Sequence, residues 1–425
     1  MWKQYRDLPR AVHILCLGTF INRAGNLVVP FLTLYLQKEL GLGKAFATEA
    51  IGVYGAGALV SSLVGGHLGD RVGRRVVMLA ALAGGAGLIL VFGTLTTRGE
   101  ILLGLLAFSL LAEMYRPAAS AMIADLVEPA QRQHAFGLMY VAVNLGFSVG
   151  PFVAGILSQY SFRLLFWGDA LTTLIYAAII LLAIRETLPA RAGPPQQTAN
   201  PAAGETALDY AVPPPVRRFD AFRDIVGNRP FLVFCLSLFL IGIVFHQAMS
   251  TFPLYLDDLG ISGRDYGWII ALNGVMITCL QLPLTAMLTR FHRAGVIAIG
   301  AALTGVGFGL IGMAAAPWQF AMTVVVWTLG EMMGAPLNPA IVSDLAPTRF
   351  RATYFGLVTM SFSGAMMIGP PLGGRVLARF GPGTLWTGCM VVGLVAAVLL
   401  LSIARHIGSG ASRPIVASPP RGRRE

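Results

Sequence analysis

The chain has 425 residues, of which 56% are hydrophobic and only 12% charged, about half the charged share of an ordinary soluble domain. With a mean hydropathy of +0.70 it lacks the polar residues to cover a water-soluble globule of this size. The same figures exclude a disordered chain, and four Cys are too few for a disulfide scaffold, which leaves an integral membrane protein.

Twelve apolar segments follow one another, each near the roughly 20 residues needed to cross a bilayer. They lie at 11–36, 48–69, 76–96, 101–124, 133–158 and 163–184, then at 230–256, 265–289, 294–315, 318–343, 352–378 and 383–404. Their apolar runs are continuous rather than alternating, so the spans are helices and not barrel strands. The first run follows a short basic segment but is too long for a signal-peptide core and contains Arg23, so it reads as an uncleaved first helix. Between the sixth and seventh spans, residues 185–229 are rich in Pro, Ala, Arg and Asp and read as a linker, with a short amphipathic stretch near Phe219 to Ile225. The predicted organisation is a six-helix bundle over 1–184, the linker 185–229, a second bundle over 230–404, and a basic tail over 405–425.

Loop charge sets the orientation. With the N-terminus inside, the inside segments hold 22 Lys and Arg and the outside loops seven. This asymmetry predicts that both termini are cytoplasmic. It also accounts for the net charge of +11 without a nucleic-acid partner.

The halves repeat in parallel. A shift of 219 superimposes Pro117 on Pro336, Asp125 on Asp344, Arg132 on Arg351, Phe136-Gly137-Leu138 on Phe355-Gly356-Leu357, and Gly150-Pro151 on Gly369-Pro370. Two such bundles are the arrangement expected when halves rock about a central site.

Two motifs stand out. After the second span the chain reads Gly66, His67, Leu68, Gly69, Asp70, Arg71, Val72, Gly73, Arg74, Arg75. Its glycines permit close helix approach, and Asp70 at a helix end suits backbone amides or another helix's N-terminus. In the fifth span, Gly146, Gly150, Pro151 and Gly155 space small residues along one helix, which allows tight packing and a bend. Its twin is Gly369-Pro370-Pro371 with Gly373-Gly374.

These features resemble the major facilitator superfamily over nearly the whole length. Within it they are similar to the twelve-helix drug:proton antiporter branch, in its MdtH-like subgroup. Glu113, Met114, Tyr115, Arg116 and Pro117 in the fourth span are similar to that subgroup. The resemblance implies an all-α membrane fold of twelve helices in two pseudo-symmetric bundles, located in the plasma membrane (the bacterial inner membrane). It implies a latch in which Asp70, with Gly66, Gly69, Arg71, Gly73, Arg74, Arg75, Arg132 and Arg351, closes the cytoplasmic side against the start of helix 11. The plainer reading of that loop is a tight turn with topology-setting arginines. The second half keeps only a remnant, with Thr289 in place of Asp70 and Arg290 and Arg293 retained. The fifth-helix run is either interhelical packing or a seal that favours antiport.

Charges within spans are expensive, about 2.5–3.5 kcal/mol each on insertion scales, and therefore informative. They are Arg23, Glu113, Arg116, Asp169 and Glu331, with His246 in addition. All but Asp169 fall on helices 1, 4, 7 and 10, which line the central cavity in the family the sequence resembles. Asp169 reads as a structural partner near the outer surface. Glu113 and Arg116, three residues apart, share a helix face and form a candidate ion pair. Glu331 has no Arg at short helical spacing, which makes it the first candidate proton carrier, ahead of Glu113 and His246. The remaining cavity candidates are Arg23, Asn22, Asn26, Tyr115, Arg116, Asn144, Gln247, Asn273, Gln281, Trp327 and Asn338, with Trp327, Glu331 and Asn338 sharing one face of helix 10.

The Gly307, Phe308, Gly309, Gly312 run matches a dinucleotide fingerprint but lies in a span with no strand before it, so it is helix packing. No Walker loop, HExxH or nucleophile elbow is present, and the four Cys are scattered within spans. The expectation is a monomeric secondary transporter rather than an enzyme, with no cofactor and no metal. It would export lipophilic or cationic compounds in exchange for protons, with lipid and small-molecule substrate as partners. The alternative is a carrier of a sugar, peptide, lysolipid or other metabolite, working as a symporter.

Overall fold

Within lipid every backbone N–H and C=O has to be paired inside its own segment, and the chain answers with helices throughout. The computed structural model describes residues 6–128, 131–187, 218–347 and 350–407, and no strand occurs among them. In the first half the spans are α1 (Arg10–Glu39), α2 (Lys44–Val72), α3 (Arg74–Phe92), α4 (Arg98–Leu126), α5 (Arg132–Leu157) and α6 (Arg163–Ala183). In the second half they are α7 (Arg229–Met249, continued by Thr251–Asp258), α8 (Gly263–Leu288), α9 (Arg293–Met313) and α10 (Pro317–Leu345).

The last two expected spans run together as one helical stretch, Arg351–Ser402, so eleven helices among the described residues are long and apolar enough to span. A straight helix of that length would reach ~78 Å at 1.5 Å per residue, more than twice a bilayer. Gly381 interrupts it with φ 82 and ψ 173, a conformation that only glycine adopts readily. The stretch therefore doubles back, and Tyr354 shares one core with Ala396 and Leu400. We label 351–380 α11 and 382–402 α12.

Four helices are broken within their spans. α1 breaks at Gly25–Leu27, α4 at Glu113–Met114, α7 at the 3-10 turn His246–Met249, and α10 at the 3-10 turn Ala335–Leu337. A break frees backbone amides that lipid cannot satisfy. In α1 the carboxylate of Asp169 on α6 accepts from Leu27 N at 3.2 Å and Val28 N at 3.3 Å, so this buried acid caps the second segment of α1. In α7 the Gln247 amide bridges to Ile243 O and Gly369 O, both at 2.9 Å, and ties the break to α11.

The two ends of the molecule differ. At the end opposite the α2–α3 loop, one apolar core joins both halves, with Phe31, Phe46 and Phe166 packed in the same cluster as Phe252, Tyr266 and Trp386. At the end carrying the α2–α3 loop, which we call the basic end, each half has its own core. Val12, Met122 and Tyr176 belong to one, and Phe231, Tyr354 and Leu400 to the other. The halves thus meet at the far end and part at the basic end.

Of the linker expected over 185–229, residues 188–217 lie outside the described residues, as does the tail beyond 407. The expected amphipathic stretch falls in a short helix, Arg218–Gly227.

Candidate functional site

The two halves touch along two equivalent seams, α5 with α8 and α2 with α11. A β-carbon at Gly274 would lie 2.7 Å from both Asn144 O and Ser148 N of α5. A β-carbon at Gly55 would lie 2.7 Å from Met366 C and Met367 N of α11. The fifth-helix run packs α5 on two sides, against α1 of its own half and against α8 across the seam. Gly146 and Gly150 abut α1 around its break, and Gly155 abuts Gly263 and Gly267 of α8, where a β-carbon at 267 would meet Pro151 O at 2.5 Å. The packing reading of that run is therefore realised in detail.

Next to each seam glycine stands a side chain that grips a carboxylate in its own half. The Tyr54 hydroxyl donates to Glu113 Oε1 at 2.5 Å. The Asn273 amide donates to Glu331 Oε2 at 2.8 Å and to Thr328 Oγ1 at 3.1 Å. Residues 54 and 273 are separated by the repeat offset, as are 55 and 274. The carboxylates differ in what else they hold. Glu113 Oε2 lies 2.8 Å from Arg116 Nε, whereas Glu331 has no ion pair among the described residues. A half-buried carboxylate with one neutral donor and no cation keeps its negative charge unpaired, which is costly away from water.

Several expected cavity residues turn out to face elsewhere. Asn22, Arg23, Asn26 and Tyr115 do gather, together with Glu113 and Asp169, but around a polar chamber inside the first bundle that α3 helps to wall. There Arg23 donates to the Tyr115 hydroxyl at 2.5 Å and Asn22 to Thr173 Oγ1 at 3.0 Å. Arg116 is 53% exposed by side chain and is the cation of this group that remains open. Gln247 is buried at the α7–α11 contact, with Thr251 donating to its Oε1 at 2.8 Å. Trp327 is buried between Phe245 and Phe308, with ring centroids 5.6 and 5.4 Å away. A 3-10 turn at Ala335–Leu337 lies between Glu331 and Asn338 on α10. His246 Nδ1 bonds Gly242 O at 2.7 Å and its ring packs on Phe362, which suits a role in holding the α7 break. Gln281 joins α8 to Met332 O at 3.0 Å, and Asn144 donates to Tyr140 O at 2.9 Å.

The α2–α3 loop is a tight turn at Gly73, φ 117, and the expected contact of Asp70 with the start of α11 is not seen among the described residues. Asp70 is 70% exposed by side chain, with Arg74 of its own loop 3.7 Å away. Arg74 pairs with Asp125 of α4, and its counterpart Arg293 pairs with Asp344 at 3.1 Å. Arg75 donates to Leu181 O at 2.7 Å, while Arg71, Arg132 and Arg351 are exposed. Near Gly66 and Gly356 no neighbour comes within 4 Å of a β-carbon position. The loop depends on an acid that sequence reasoning placed in the linker. Glu186 accepts from Arg74 N and Arg75 N, both at 3.0 Å, and so caps α3. At the far end Lys38 pairs with Asp257 at 2.5 Å and Lys44 with Asp258, both across the two halves.

This architecture has relatives. The chain is 28% identical over 396 residues to a "Na(+), Li(+), K(+)/H(+) antiporter" of Planococcus maritimus, covering 86% of this chain and 89% of that one. It is 22% identical over 360 residues to the multidrug resistance protein MdtH of Cronobacter sakazakii, covering 83% and 82%. A crystal structure of a variant of the peptide transporter POT in complex with sulfate has the same fold, with a TM-score of 0.77 at 18% identity over 96% of this chain and 98% of that one. The sequence pattern of the Major Facilitator Superfamily matches residues 15–263 and 235–421, and the chain belongs to that family of multi-pass membrane transporters.

Proposed function

We propose that this transporter exports lipophilic cations in exchange for protons by alternating access, with its basic end and both termini in the cytoplasm of a bacterial cell. The observation that carries the reading is Glu331, an acid on a broken helix near a seam between the halves, with a neutral donor and no cation among the described residues. One carboxylate that accepts either a proton or a cation, and not both, makes the two cargoes compete, and competition at one site is the simplest source of exchange. A proton moving inward contributes about 2.3 kcal/mol per 100 mV of potential, and a pH gradient adds to it. Glu113 is less suited to carry the exchanged proton, because Tyr54 and Arg116 already occupy both of its oxygens.

A second reading, exchange of an inorganic monovalent cation, is favoured by the Planococcus maritimus relative. Energised everted vesicles separate the two. Ethidium uptake driven by the proton gradient supports the first reading, and collapse of the gradient on adding Na⁺ or K⁺ supports the second. In either case Glu331→Gln is expected to bring proton-driven exchange to background, while Glu113→Gln keeps it. Wild-type exchange by Glu331→Gln, still dependent on the gradient, would overturn the assignment.

A further inference from the structure

The Asn273 amide spends both of its hydrogens on α10, one on Glu331 Oε2 at 2.8 Å and one on Thr328 Oγ1 at 3.1 Å, and the residue is buried. These bonds cross from α8 to α10. The next residue, Gly274, is where α8 meets the α5 backbone of the other half. The side chain that holds the carboxylate and the glycine at which the halves touch therefore belong to consecutive residues of one helix turn. A hydrogen bond to a charged carboxylate is markedly stronger and shorter than one to its neutral form. Neutralising Glu331 loosens α8 from α10 at the level where α8 is pressed against α5.

The first half contains the same device. Tyr54 grips Glu113, and Gly55 beside it presses on Met366 and Met367 of α11. That copy carries the Arg116 ion pair in addition, and the second copy carries none among the described residues. The duplication argues that the donor–glycine pair is a working part of the fold. The difference in charge argues that only the second copy responds to a proton.

We propose that Asn273 is a positioning residue that transmits the charge state of Glu331 to the α5–α8 seam, and so to the opening of the basic end. It does not act by binding substrate. The inference rests on the reading of Glu331 as the proton carrier. Asn273 and its partner Thr328 do not titrate; the titratable residue on α5 that interacts electrostatically with this carboxylate is Tyr140.

The test needs no substrate. Spin labels at the exposed positions Gln133→Cys and Thr289→Cys, in a Cys279→Ser background, report the distance between the basic ends of α5 and α8 in the reconstituted full-length protein. Lowering the pH is expected to change the ratio of short to long distances by about tenfold in the wild type. Glu331→Gln is expected to abolish that response. Asn273→Ala is expected to shrink it to less than about threefold although Glu331 is present, and Asn273→Gln, which keeps the amide, to restore part of it. A full response in Asn273→Ala beside a flat one in Glu331→Gln overturns this proposal and leaves the proton-carrier reading standing. A full response in Glu331→Gln overturns the carrier reading itself. Should Asn273→Ala not fold, Thr328→Val replaces it, since it frees the amide from its second anchor. It is expected to at least halve the response, and a wild-type response from it overturns the proposal.

Discussion

In the first half, Tyr54 grips one oxygen of Glu113 and Arg116 closes on the other; in the second, Asn273 grips Glu331 and no cation closes on it among the described residues. The donors are one repeat apart, and so are the seam glycines beside them, yet the carboxylates sit one register apart on α4 and α10. The symmetric parts, donor and glycine, belong to the contact between halves, which needs the same shape on both sides of a pseudo-two-fold axis. The asymmetric part is charge. A carboxylate with both oxygens engaged gives its helix a fixed geometry, whereas an acid without a cation leaves its charge unpaired. The comparison separates what holds the halves from what drives them.

The largest effect is expected where the symmetry is strictest. Gly274→Val and Gly55→Val each place carbon against backbone that cannot swing aside, 2.7 Å from Asn144 O and from Met366 C at the first carbon alone. Overpacking of this kind costs about 1–3 kcal/mol, which is about fivefold to a hundredfold or more in the ratio of the two states. Both substitutions are expected to drive the basic end away from the open arrangement, and the spin-label distance between α5 and α8 measures it. Equal effects would support equivalent seams. A tolerated valine at one position would break the symmetry there.

A smaller effect separates the two broken helices that contact them. The α1 break depends on Asp169, donated by α6, whereas the residue one repeat on is Gly388, and the α7 break is tied by its own Gln247 to α11. Asp169→Ala strips the acceptor from two buried amides and is expected to cost about 2 kcal/mol of stability. Thermal unfolding in detergent is expected to show the loss, with the pH response of the basic end unchanged. A flattened response would make Asp169 part of the proton pathway and erase the division of labour between halves.

Much of this was legible in the sequence. The twelve runs, the repeat offset of 219 and the charges within spans came from composition and pattern, because lipid permits few alternatives to a helix. The breaks were not read, although each has a proline just downstream. In α4, Pro117 has no N–H to give Glu113 O and its ring crowds that carbonyl, so the helix parts at Glu113–Met114. Tyr54 escaped notice because the repeat was traced by identical residues, and its partner position holds Asn273. Gln247 and Trp327 were drawn into the cavity because polarity and helical spacing cannot tell an open face from a packed one. Glu186 lay in a stretch read as linker, and its capping of α3 is a contact across more than a hundred residues.

The smallest effect tests the comparison at its axis. Lys38 and Asp257 are one repeat apart, so their ion pair joins a position of the first half to its own equivalent in the second. It closes the far end where Lys44 and Asp258 also cross. Because Lys38 is 45% exposed by side chain, water and salt screen the pair, and its worth is about 0.2–1 kcal/mol. Lys38→Met is thus expected to shift the balance of states by less than about fivefold toward opening of the far end, less so at high salt. The exchanged pair Lys38→Asp with Asp257→Lys is expected to restore the wild-type balance, since equivalent positions on an axis differ only in which partner carries which charge. The spin-label distance at the basic end, read at low and high ionic strength, measures both. If the exchanged pair behaves like two independent losses, the surroundings of the two positions are not equivalent, and the far end is as asymmetric as the carboxylates.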